Sequence, residues 1–179
     1  GIYKEETMNR SGARGVLWAV AFGLFLASTA AGAQEVRMLS SGQTLYLPIY
    51  SHIFFGNVGR SGTPSQVSLS ALVSVRNTDP GRPLRVLSAR YYDTDGKLLG
   101  ERVSKPVVVV PLGTLELFIE RNDLSGGSGA NFIIKWDAST PINPPLVEAL
   151  HVNMDGGKAV VFTTQAQPIE DPAAQPARQ

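Results

Sequence analysis

Between residues 67 and 75, Val67, Leu69, Ala71, Val73 and Val75 alternate with Ser68, Ser70, Leu72 and Ser74. An apolar period of two sends every second side chain to one face, which is the signature of a half-buried strand. The same period returns at Leu115, Leu117 and Ile119 against Glu116, Phe118 and Glu120, and at Phe132, Ile134 and Trp136 against Ile133 and Lys135. No window carries the 3.6-residue period of an amphipathic helix. The punctuation agrees with strands. "DPGR" at 79–82 places a proline where φ is already held at about −65° and a glycine where a tight turn calls for positive φ. "TDGK" at 94–97 carries the Asp-Gly pair favoured by two-residue hairpins, and "NPP" at 143–145 lacks two backbone donors, so it belongs in a loop or at a sheet edge. Together these signals predict strands at 44–50, 67–77, 84–93, 97–103, 115–120, 131–137, 147–153 and 159–165. Seven or eight short antiparallel strands with regular turns describe an all-β domain, an immunoglobulin-like β-sandwich.

The two ends of the chain break this pattern. From Met8 the order is basic, apolar, small: Arg10 and Arg14, then "VLWAVAFGLFLA", then "STAAGA" closing on Ala31-Gly32-Ala33. This order predicts a signal peptide over 8–33 with cleavage near Ala33, and the apolar run is shorter than the roughly 20 residues of a spanning helix. Residues 1–7 precede that pattern and read as a non-native or miscalled extension. Residues 34–43 are a lead-in, and 44–166 form the sandwich domain. Residues 167–179, rich in Pro, Ala and Gln, cannot offset their ordering entropy by burial and are expected to form a disordered tail.

Composition sharpens the compartment and removes some functions. The chain has no cysteine, so neither a disulfide nor a thioether-linked lipid is open to it. After Ala33, thirteen basic residues balance thirteen acidic ones. A balanced chain without a basic stripe gives no footing for nucleic acid. The reading is a periplasmic or secreted protein with no membrane span in its mature part and no implied cofactor.

Several stretches offer chemistry, each beside a plainer explanation. In "NDLSGGSGANFIIKWD", the glycines around Ser128 resemble a phosphate loop or a nucleophile elbow. Both of those need a helix after the glycines, whereas "NFIIKWD" at 131–137 reads as strand. A turn that launches a strand is the simpler assignment. A hydrolase reading pairs Ser128 with His52 as its base. His52 itself sits in "PIYSHIFFG", whose aromatic residues read as core and rim packing. "DTDG" at 93–96 opens like a calcium loop, but the place of its closing glutamate is held by Ser104. A metal reading draws on His52, Asp93, Asp95 and Asn131, with His151 as a poorer ligand. His151 and Met154 are three apart on one strand and so face opposite sides.

Taken together, "GQTLYLPIYSHIFFG", "VSVRNTDPGRPLRV", "YYDTDGKLL", "SGGSGANFIIKW" and "INPPLVEAL" resemble the bacterial exported-protein family called domain of unknown function 3124, over Gly42 to about Thr164. The resemblance implies a small exported single-domain protein and brings no catalytic residues. It also implies, for many members, a lipid anchor through a cysteine, from which this chain departs. The resulting expectation is a non-enzymatic binding or accessory module of the cell envelope, whose partner is an unknown protein or small ligand. The strands at 44–50 and 146–153 are expected at sheet edges, open to a partner strand. A ligand site is expected where Tyr50, His52, Asp93, Ser128 and Asn131 gather at strand ends. The alternatives are a metal or ion binder and a serine hydrolase.

Overall fold

A computed structural model describes residues 38–60 and 62–169. The expected signal peptide, the extension before it and residues 170–179 of the tail lie outside the described residues. Within them the fold is all-β, with twelve strands in antiparallel sheets and no helix. Hence no helix among the described residues is long and apolar enough to cross a membrane.

In chain order the strands are β1 (Ser40–Ile49), β2 (His52–Phe55), β3 (Ser65–Ser68), β4 (Ser70–Arg76), β5 (Leu84–Tyr92) and β6 (Leu98–Glu101). They continue with β7 (Val107–Val109), β8 (Thr114–Ile119), β9 (Ala130–Ile142), β10 (Leu146–Asp155), β11 (Lys158–Gln165) and β12 (Gln167–Ile169). One sheet runs β12-β1-β9-β5-β6, with β7 also on β5; a second runs β11-β10-β4-β8; β2 and β3 form a ribbon of their own. The period-two faces of the two large sheets close on a single core. Leu45, Leu47, Phe132, Ile134 and Trp136 come from the first sheet, and Ala71, Val73, Val75, Val147 and Ala149 from the second. This is sandwich-like packing, with each strand's alternate residues turned inward.

Five differences from the sequence reading have physical causes. The alternation from Val67 to Val75 continues without a break, yet the strand changes partner at Leu69. Ser65–Ser68 pairs with β2, whereas Ser70–Arg76 pairs with β10 and β8. Side-chain period reports burial and is blind to which backbone a strand bonds. The strands expected at edges are interior: β10 lies between β11 and β4, and β1 between β9 and β12. Gln167–Ile169, assigned to the tail, forms β12, which covers β1 at Thr44–Tyr46. The short run at 107–109, apolar without alternation, is β7 on β5.

The fifth difference is in "DPGR", where Gly81 does not take positive φ. The buried Asp79 carboxylate accepts hydrogen bonds from the backbone N–H groups of Gly81 (3.0 Å) and Arg82 (2.9 Å) and from the Arg82 guanidinium (2.9 Å). The turn is therefore held by a side chain acting as a local acceptor. The Gly81 N–H is the largest influence holding the Asp79 carboxyl below its usual pKa, partly opposed by burial and aided by Arg82. In "TDGK", Gly96 does take positive φ, at 79°.

Candidate functional site

Three adjacent strands of the first sheet finish at the same end. Asn131 of β9 stands opposite Pro48 of β1 and Tyr92 of β5, and Ala130 stands opposite Ile49. Tyr50, Asp93 and Ser128 are one or two residues beyond these pairs, so these strand ends lie at one end of the sheet. The side chains that lock this end together are others: Ser51, Tyr91 and Thr94.

The glycine-rich loop lies down on those three. Ser51 N–H donates to the Gly127 carbonyl at 3.0 Å, and Thr94 donates to the Gly126 carbonyl through both its N–H and its hydroxyl, each at 3.0 Å. The Gly129 N–H in turn donates to Thr94 Oγ1 at 3.0 Å. Beneath the loop the Ser51 and Tyr91 hydroxyls meet at 3.2 Å in a buried pair. A Cβ at Gly126 would come within 2.0 Å of the Tyr91 oxygen and 2.9 Å of Ser51 Oγ. Gly127, at φ 74°, has room for Thr94 Oγ1 only because it has no side chain. The glycines thus serve close approach and left-handed backbone. Ala130 then opens β9, so the loop launches a strand and offers no helix terminus to an anion.

Burial pushes the Tyr91 phenol pKa up, opposed in part by its bond to Ser51, so the phenol stays neutral at this seal. Tyr91 stacks on Phe132 at 4.9 Å, and the Arg102 guanidinium stands 5.7 Å from the Tyr91 ring centre on a cation–π contact.

The remaining expected site residues diverge. Asp93 turns its carboxylate into its own hairpin and accepts from the N–H groups of Asp95 (3.0 Å) and Lys97 (2.8 Å). Tyr50 packs inward, edge-on to Phe162 and His151 at 5.7 Å each. His52 begins β2 and sets its ring edge-on to Phe54 at 4.9 Å, with a buried Nδ1 that has no hydrogen-bond partner. Among the described residues no three His, Asp or Glu side chains come together as metal ligands. The aromatic cluster expected as packing divides: Tyr50 is half-buried, while Phe54 and Phe55 are 52% and 56% exposed.

His151 is the residue the sequence undervalued. It is fully buried, stacked on Phe162 at 4.7 Å with the rings 8° from parallel. Its Nε2 accepts the Tyr50 N–H at 3.1 Å, which assigns the ring proton to Nδ1. Burial lowers its pKa to about 4, while the backbone carbonyls of Ala149 and Phe162 pull the other way without satisfying Nδ1. A neutral imidazole held this way is a structural acceptor for the end of β1. The signal available in sequence was its parity: His151 shares a face with Val147 and Ala149.

The outer faces of the two sheets both carry ion pairs, Arg76–Glu148 lying on the second, but differ in how their exposed apolar groups are arranged. On the first, Arg85 pairs with Asp137 and Arg90 with Glu101. On the second, Leu72 stands between Phe118 and Leu150, and Val152 beside Val161. Phe118 is 60% and Val161 53% exposed, and Met154 extends the same face. A connected apolar row crosses four strands in solvent.

No curated protein matches this chain. Among solved structures, one described as "Crystal Structure of Thermotoga maritima 1070" is similar at 13% identity over 70% of this chain and 92% of that one, with a TM-score of 0.35. The family model described as "Protein of unknown function (DUF3124)" matches residues 42–169, so every strand from β2 to β12 and most of β1 falls within it, and the chain belongs to that family.

Proposed function

We propose that this protein is a non-enzymatic binding module, an exported accessory protein of the bacterial cell envelope that holds a protein partner on the outer face of β11-β10-β4-β8. The carrying observation is the apolar row Phe118, Leu72, Leu150, Val152 and Val161. Solvent-facing positions of an antiparallel sheet are ordinarily polar, and contiguous exposed apolar area marks contact surfaces. The outer face of the opposite sheet is mixed, with the ion pairs Arg85–Asp137 and Arg90–Glu101 beside Tyr46, Ile133 and Val108. Export rests on the basic-apolar-small order of residues 8–33, and a periplasmic or secreted location is its consequence. An immunoglobulin-like arrangement is supported by β4 pairing with β8 in one sheet and β5 with β9 in the other, the partnership that strands B–E and C–F make in that fold. Against catalysis stands the Ser128 loop, a packed turn whose backbone is fastened to Ser51 and Thr94.

The test places a photo-crosslinking residue at Phe118 or Val161 on one face and at Arg90 on the other, in cells. One discrete adduct from both apolar-face positions, absent at Arg90 and lost on Leu150→Glu, is expected. Equal labelling from the two faces, or none from the apolar one, would overturn the proposal.

A further inference from the structure

The ribbon β2–β3 belongs to neither large sheet. It leaves the sandwich at Ser51, whose carbonyl accepts the Leu69 N–H at 2.8 Å, and at its base the Ser68 carbonyl accepts from Asn153 Nδ2 at 2.7 Å; beyond these bonds its strand pairing among the described residues is within itself, Ile53 opposite Val67, Phe54 opposite Gln66 and Phe55 opposite Ser65. Its base is half-buried and its outer half exposed. Consecutive residues on a strand face opposite sides, so Phe54, flanked at its base by the His52 ring, and Phe55 leave apolar area exposed on both sides of the ribbon. Val58 at the turn is 64% exposed. Gly56 and Gly62, at φ 75° and 76°, shape the turn. Between His52 and Ser68 there is no acidic residue, and Arg60, which is exposed, is the only charged one.

From these features we infer that the ribbon tip inserts into the interfacial layer of a membrane that carries anionic lipid. A protein groove receives one side of a ribbon, whereas apolar groups on both sides and at the tip match a medium that surrounds it. The lone positive charge, with no acid beside it, complements an anionic headgroup, and aromatic rings with an apolar body settle at the boundary of the acyl region. The inference is independent of the sheet-face reading, since it rests on a different element.

The absence of cysteine allows one labelled position at a time. Val58→Cys carrying an environment-sensitive fluorophore, in the full chain, is mixed with vesicles of phosphatidylcholine with phosphatidylglycerol, and Phe118→Cys serves as the comparison. The expected result is a blue shift and quenching by lipid-borne nitroxide at position 58 and neither at 118. Phe54→Ser with Phe55→Ser should weaken the response at least tenfold, and Arg60→Gln about fivefold, the latter only with anionic vesicles. No response at position 58, an equal response at 118, or a response at 58 that requires an added envelope protein would each overturn the inference. The Phe118 label and the crosslinks answer for the sheet face, so the two proposals fail separately.

Discussion

Two structures leave the end of β1, and they are opposites. On one side the chain's strand end is sealed: Tyr50 gives its N–H to His151, Ser51 gives its own to Gly127, and the loop of Gly126–Gly129 is clamped by Thr94 over the Ser51–Tyr91 pair. On the other side, from His52 onward, a ribbon stands outside both sheets with phenylalanines in solvent. The polar groups of this region went to structure and the apolar ones to the surface. That inversion teaches where to look: the residue types that suggest chemistry are here the fasteners, and the candidate contact surfaces are made of Phe, Leu and Val.

The contrast can be broken most severely through His151. Its folded-state pKa of about 4 lies below the ordinary value near 6.5, so the unfolded chain takes up the proton first. The stability gained from the neutral ring is whole above pH 6.5 and is lost as pH falls toward 4, by about 3 kcal/mol. Urea unfolding at pH 7.5 and 4, compared with His151→Gln, should show that the wild type loses more by this amount. Next, Gly126→Ala forces a methyl onto the Tyr91 oxygen and should cost about 2–3 kcal/mol in the same assay. Tyr91→Phe leaves Ser51 Oγ without its buried partner and should cost about 1–2 kcal/mol. On the open side, Phe54→Ser with Phe55→Ser should cost less than about 1 kcal/mol, because more than half of each residue is already exposed.

The alternation at 67–75, 115–119 and 132–136 made the strands and their buried faces legible, since burial on one side of a sheet imposes period two wherever the strand lies. Pairing was not legible. The exchange of partner at Leu69 and the interior positions of β1 and β10 depend on contacts far apart in sequence that leave side-chain parity unchanged. For the site, turn positions mark where strands end, but which ends meet near Asn131 follows from the pairing of β9 with β1 and β5. The fasteners could not: Ser51, Thr94 and Tyr91 are ordinary strand-end residues, and only the missing Cβ atoms of Gly126 and Gly127 reveal how closely the loop lies on them. His151 invites a reading as a ligand because histidine is so often one, although its place in the register of Val147 and Ala149 already points inward.

The most direct measurement is amide hydrogen exchange on the two sides of Ser51 in one experiment. The N–H groups of Tyr50, Ser51, Thr94 and Gly129 should be protected together, opening with the strands they fasten, while those of Gly56, Val58 and Arg60 exchange orders of magnitude faster. A glycine loop that exchanges as fast as the ribbon tip would contradict the structural seal and return Ser128 to consideration as a mobile functional group.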